Sequence, residues 1–286
     1  MSPWVVGIIG GSGLYDIPGL QGPEWKTIEC ASGSPSDALL FGSLAGVEVR
    51  FLPRHGRGHR LSPTDIDARA NIEALKRAGC TDIVSVAAVG SLREDLPPGT
   101  FVVVDQYIDR TFARAKSFFG PGLVAHVSMA DPVCPRLSEL IAGAARAAGA
   151  PTVEGGTYLA MEGPQFSTRA ESELYRSWGC SVIGMTGMPE AKLAREAELP
   201  YASLAMVTDF DAWRAGEAAV QVSDILAVMR GNAHLARETL VRLIQALPAG
   251  REPSPIDRAL DQAIVTPPSA RDPAVAERLS WLLEGR

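Results

Sequence analysis

Short apolar runs alternate along this chain with segments whose apolar residues recur every three or four positions. The runs WVVGIIG (4–10), VEVRFLPRHG (47–56), DIVSVAAVGS (82–91), TFVVVDQYI (100–108), GTYLAM (156–161), SVIGM (181–185) and YASLAMVT (201–208) predict strands. Several are apolar without strict alternation, the pattern of strands buried on both faces. Between them, ARANIEALKRAG sets Ala68, Ile72, Leu75 and Ala78 on one helical face and stops at Gly79. RLSELIAGAARAAG (136–149), RAESELYRSWG (169–179), PEAKLAREAE (189–198, with Pro189 in its first turn) and a long segment over roughly 219–247 also predict helices. Strand and helix in alternation predict an α/β fold. We expect a single-domain, mixed but mainly parallel sheet covered by helices on both faces.

Composition changes only after Leu247, where PAGREPSPIDRALDQAIVTPPSARDP is rich in proline and charge. This divides the chain into a body, 1–247, and a C-terminal arm, 248–286, ending in a helix around AVAERLSWLLEG. Trp281 and Leu282 in that helix predict that the arm docks, either on its own body or on a neighbour.

The 286 residues are 46% hydrophobic with a formal net charge of -6, which argues against nucleic acid or an anionic membrane as partner. A bound anion therefore has to meet local positive charge. The four cysteines, Cys30, Cys80, Cys134 and Cys180, are scattered without a CxxC pair and read as free thiols of a reducing compartment. No apolar run approaches the roughly 18 residues of a membrane span, and MSPWVVGIIGGSG lacks the basic start of a signal peptide. The expectation is a soluble, cytoplasmic protein.

Candidate chemistry gathers at strand ends. GGSG (10–13) lets backbone N–H groups approach an anion, with Ser12 adding a hydroxyl; a plain tight turn explains it equally. It lacks the spacing of a dinucleotide fingerprint and the lysine of a P-loop. RHGRGH (54–59) concentrates positive donors suited to phosphate, against the reading of a solvated basic loop. Its Arg-His-Gly triplet also leaves open a histidine phosphatase with His55 as nucleophile. AAVGS (87–91) is small enough for backbone to lie against a ligand, or for a close strand–helix crossing. In MEGPQFSTRAES, Ser167 or Thr168 caps the next helix, with Glu171 completing a capping box, while Phe166 is free to stack on an aromatic ligand. TDFDAW (208–213) places Asp209 and Asp211 two positions apart at the end of a buried run.

In this order, GIIGGSGLYD, PRHGRGH, VGSLRED, MEGPQFSTRAE, GMTGMPE and TDFDAW resemble the trimeric purine nucleoside phosphorylases, nearest to the branch acting on 5′-methylthioadenosine. The resemblance covers roughly 4–247 and leaves the arm outside. It implies phosphorolysis of 5′-methylthioadenosine to adenine and 5-methylthioribose 1-phosphate, in purine and methionine salvage. It implies phosphate among Ser12, Arg54, His55, the Ala87 and Ala88 backbone and Thr186. It sets ribose on Met185, and the base between Phe166, Ser167, Asp209 and Asp211. His126 is expected to reach a neighbouring subunit's sugar site, hence a homotrimer, and Val222, Ile225 and Leu226 to line an apolar pocket for the 5′ substituent. No metal or organic cofactor is implied, phosphate being a co-substrate. Ala87 and Val89 stand where the family often has Thr and Cys, which removes one hydroxyl near phosphate.

The aspartate pair then acquires a chemical meaning. A departing purine gains electron density and needs a donor at N7. A carboxyl raised by burial and by a like charge can hold that proton at neutral pH. Asp209 is expected to donate to N7 and Asp211 to accept from the 6-amino group, with Asp209, Asp211 and His55 as the catalytic set. A 6-oxopurine or methylthioinosine phosphorylase is the nearest alternative. The phosphatase and a non-catalytic nucleoside-binding protein are more distant.

Overall fold

The computed structural model describes residues 2–11, 13–214 and 222–283, with the backbone alone over 222–227. Its centre is a sheet in which β4 (Val47–Pro53), β1 (Val5–Gly10), β5 (Asp82–Ser91) and β11 (Tyr201–Asp209) run parallel side by side. Register explains the unbroken apolar runs. Ile8 lies level with Phe51 and Val84, and their side chains share one core with Leu204 and Met206; Ile9, Leu52, Ile83 and Ala205 belong to the other. Each strand thus feeds two cores, so both alternating positions are apolar.

Helices α1 (Ala68–Arg77) and α4 (Glu190–Glu196) cover one face of this sheet. On the other lie α2 (Pro135–Ala147) and α5 (Val222–Ala246), whose Leu137, Ile141, Ala236, Leu240 and Leu243 are buried at helical spacing. None of the described helices is long and apolar enough to cross a membrane.

Three strands escape the hydrophobic pattern. β2 (Gln21–Lys26) is fully exposed and carries Pro23, which a sheet tolerates only at its edge; it joins β3 (Leu39–Leu44) in an antiparallel extension beyond β4. β8 (Thr152–Glu154) is three residues long. The run 100–108, expected as one strand, is two: β6 (Phe101–Val104) pairs with β11 and β8, whereas β7 (Gln106–Asp109) pairs with β9 (Thr157–Ala160). Asp105 marks the change of partner, its carboxylate accepting from Gly156 N–H at 2.9 Å. β10 (Val182–Gly184) then links β9 to the far end of β5.

Pro189 stands at the N-cap of α4, not inside its first turn. At α3 (Arg169–Ser177) the capping box forms through Thr168 and Glu171. All four cysteines are free thiols. The arm packs on its own chain. Leu260, Leu279, Leu282 and Leu283 enter the α1/α4 core, and Trp281 meets the edge of Phe118 at 5.1 Å. Its terminal helix is broken in two, α6 (Pro273–Arg278) and α7 (Ser280–Leu283).

Candidate active site

The parallel strands end on one edge, and the motifs end there with them: GGSG after β1, RHG after β4, VGS closing β5 and TDFD closing β11. A cavity of about 560 Å³ opens at this edge, as crevices do beyond the carboxyl ends of parallel strands. β10 turns in from the side to add Met185 and Thr186, and the 161–168 loop adds Phe166, which is 46% exposed. Arg54, His55, Ala87, Ala88, Phe166, Met185, Thr186, Asp209 and Asp211 all line it.

Six predicted residues are not placed on it so simply. Ser12 lies outside the described residues, beside the lining Gly11. Val222, Ile225 and Leu226 begin α5, but their side chains are outside what is described; further along this helix, Met229 and Ala233 line the cavity. Ser167 is buried behind the wall, its Oγ 3.7 Å from Met161 Sδ. His126 is exposed on a separate segment away from the cavity, held by its N–H donating to Ala263 O of the arm at 2.8 Å.

The basic cluster differs from its sequence reading. Arg54 is only 2% exposed and forms an ion pair with buried Glu190, Nε to Oε1 at 2.6 Å. Its Nη2 donates to Ser85 Oγ at 2.7 Å and Nη1 to Val86 O at 2.9 Å, while Tyr201 donates to Glu190 Oε2 at 3.0 Å. Burial alone would push Glu190 up, but the Arg54 guanidinium keeps it below the usual carboxylate range. His55 is uncharged at neutrality, since burial and the adjacent Arg54 lower it to about 4. Its Nδ1 lies 3.0 Å from Leu61 O, so Nδ1 carries the hydrogen and Nε2 is left as an acceptor. His59 stacks on His55 at 4.3 Å and also lines the cavity. Arg57 turns outward, to Asp37 and across the Trp25 ring. This end of the cavity is therefore a set of hydrogen-bonding groups around one already neutralised arginine, rather than a patch of free positive charge.

Two buried supports carry no motif signal of their own. Tyr158 Oη accepts from Thr186 N–H at 3.3 Å and lies 3.2 Å from Thr186 Oγ1, fixing that turn. Arg114 donates to the carbonyls of Glu162, Met185 and Met188, and to Glu162 Oε1, which clamps the rim. Glu190 itself was visible only as the last letter of GMTGMPE, where it reads as a helix start.

At the other end, Asp209 Oδ1 accepts from Asp211 N–H at 2.8 Å and Oδ2 from Thr208 Oγ1 at 2.7 Å. Gly90 makes room, because a Cβ there would stand 3.0 Å from Asp209 Oδ1 and 3.3 Å from Asp211 Cβ. Asp211 adopts φ 52, a left-handed turn that Asp tolerates better than most residues, and its Oδ2 is buried without a hydrogen-bond partner. Burial raises both carboxyls, and the charge of Asp211 raises Asp209 further. The pair is thus suited to holding a proton. Leu14, Val86, Ile183, Met206, Met229 and Ala233 make the intervening wall apolar.

The family model for the phosphorylase superfamily matches residues 5–245. The chain is 58% identical to the S-methyl-5'-thioadenosine phosphorylase of Cereibacter sphaeroides over 96% of each chain, and 57% identical to that of Bradyrhizobium diazoefficiens over 98% of this chain and 97% of the relative. A crystal structure of a methylthioadenosine phosphorylase from an antarctic soil metagenomic library superposes with a TM-score of 0.92 at 46% identity over 99% of both chains. Methylthioadenosine phosphorylase from Schistosoma mansoni, in complex with tubercidin, gives 0.82 at 37% identity over 94% of this chain and 99% of its own. With the sheet, the cavity at its carboxyl edge and relatives matched over nearly their full length, the chain belongs to the phosphorylase superfamily.

Proposed function

We propose that the protein catalyses phosphorolysis of 5′-methylthioadenosine, releasing adenine and 5-methylthioribose 1-phosphate as a step of purine and methionine salvage in the cytoplasm. The observation that carries the substrate is the Asp209–Asp211 pair. One raised carboxyl supplies a proton, and Asp211, which lines the cavity beside it, is the acceptor for an exocyclic amino group. A 6-oxopurine would set a carbonyl against that carboxylate.

The C1′–N9 bond breaks as a phosphate oxygen bonds to C1′, through a sugar with oxocarbenium character. Hydrogen phosphate loses its proton in becoming a sugar phosphate, and adenine gains one. Asp209 donates to N7 while the bare Nε2 of His55 accepts from the P–OH group, so the two ends handle the two protons. Arg54 and Thr186, with the Gly11, Ala87 and Ala88 backbone, orient the anion, and Ser12 joins this set on the sequence resemblance. Orientation and preorganised dipoles supply the acceleration, without a protein nucleophile, metal or organic cofactor. Met185 underlies the ribose and Phe166 flanks the base; the resemblance sets Ser167 near the base and Val222, Ile225 and Leu226 at the methylthio group, where Met229 and Ala233 of the same helix line the cavity. An apolar wall leaves a 5′-hydroxyl unpaired, at a cost of roughly 1–3 kcal/mol. His126, exposed and held by the arm, is supplied to a neighbour's site in a homotrimer; light scattering that returned an active monomer would refute this assembly. The substrate test is kcat/KM with phosphate for 5′-methylthioadenosine, adenosine, 5′-methylthioinosine and inosine. The first should lead, and a preference for either inosine form would overturn the reading.

A further inference from the structure

Thr208 is 4% exposed, lies between β5 and the aspartate turn, and lines the cavity. Its Oγ1 is within hydrogen-bonding reach of two acceptors, Asp209 Oδ2 at 2.7 Å and Val89 O at 3.2 Å. A hydroxyl has one proton, so it cannot donate to both at once. The choice follows from the state of Asp209. When Oδ2 of the free enzyme is protonated it donates to Thr208 Oγ1 and the threonine proton points to Val89 O; on a bound purine that O–H turns to N7 while the threonine proton stays directed at Val89 O. When it is ionised, the threonine proton is needed on Oδ2. The other oxygen, Oδ1, has no such freedom, because the backbone N–H of Asp211 points at it in either state.

We propose that Thr208 is a positioning residue for leaving-group protonation, a hydroxyl that swings from Val89 O to Asp209 Oδ2 as the Asp209 proton passes to the purine. The Asp209 O–H bond breaks and an N7–H bond forms, the electron pair of the C1′–N9 bond passes to the purine, and the threonine proton stays on its own oxygen throughout. The carboxylate left behind thereby gains a donor at the moment it becomes charged. This rests on Asp209 being the acid, as proposed above. Among the described residues the groups around Asp209 are few. Asp211 raises it from within the turn; Ser167 and, from α3, Ser172 and Glu171 act on Asp211; β5 brings only the Val89 and Gly90 backbone; and Asn232 of α5 donates to Val207 O.

The test compares Thr208→Val, Thr208→Ala, Thr208→Ser and Asp209→Asn in the full-length enzyme on two substrates, 5′-methylthioadenosine and its N7-methylated cation. The cationic base departs without a proton at N7. Loss of a neutral donor to a charged group should lower kcat/KM for 5′-methylthioadenosine about 10- to 100-fold in the Val and Ala variants. The N7-methylated substrate should change less than about threefold, and Ser should restore both. The alkaline limb of the pH profile, set by Asp209 losing its proton, should move upward without the hydroxyl, because the ionised form has lost its donor. Should Val fold poorly, Ala carries the same comparison. Equal losses on both substrates, no loss on the first, or an unmoved limb would overturn the role of Thr208. Full activity in Asp209→Asn would instead overturn the acid assignment, whatever Thr208 does.

Discussion

Glu190→Gln separates the two tasks of Arg54, holding the fold and holding the anion. In the wild type both partners are almost wholly buried and joined at 2.6 Å, with Ser85 and Tyr201 satisfying the remaining atoms. Glutamine keeps the shape and an acceptor for Tyr201 but removes the charge. Leaving a buried guanidinium without its counter-charge costs about 3–5 kcal/mol. With an unfolding entropy of about 2.1 cal/mol/K for each of the 286 residues, that is a fall in Tm of about 5–8 °C. The anion then changes the outcome. His55 is neutral and Arg54 is neutralised in the wild type, so the variant gains one net positive charge where phosphate is proposed to sit. Phosphate should bind the variant more tightly and so stabilise it more than the wild type; a hundredfold excess over Kd stabilises a protein by about 2.7 kcal/mol in all, and each tenfold tighter Kd adds about 1.4 kcal/mol at saturation. Melting curves with and without saturating phosphate read this directly, and the gap between wild type and variant should narrow in phosphate. A gap that is unchanged or widened would show that Arg54 does not face the anion and is purely structural.

Changing Asp209 and Asp211 together to Asn should shift the kcat/KM ratio from 5′-methylthioadenosine toward 5′-methylthioinosine, because an amide can turn its NH₂ to O6; an unchanged ratio removes these residues as the cause of base preference. Burial alone would raise Glu162, but Thr64, the Phe112 and Ala113 N–H groups and Arg114 bring it down to about 2. Its stabilisation is therefore present above pH 4.5 and lost as pH falls toward 2, so Glu162→Gln should flatten the acid limb of a Tm-against-pH curve; an identical limb would refute this.

The fold was legible wherever burial wrote a pattern. Ile8 and Ile9, facing opposite cores, produce the unbroken run that marks a doubly covered strand. β2 left no such trace, since an exposed edge strand imposes no apolar alternation, and the break at Asp105 is a change of strand partner that no local periodicity records. The site was legible as a set of strand ends, because chain order and sheet order bring GGSG, RHG, VGS and TDFD to one edge. Its electrostatics were not. RHGRGH reads as positive charge, but Glu190, 136 residues away in sequence, neutralises Arg54, and burial discharges His55. Charge counted along a chain ignores partners that only the fold supplies. Thr208 shows the same limit, since its second acceptor belongs to the neighbouring strand.

Phosphorolysis itself is tested most directly by following 5′-methylthioadenosine with the purified protein by ¹H and ³¹P NMR, with and without inorganic phosphate. Adenine should appear only with phosphate, matched mole for mole by a new sugar 1-phosphate resonance. Adenine released at the same rate without phosphate, with free 5-methylthioribose as the other product, would make the protein a hydrolase and contradict the account.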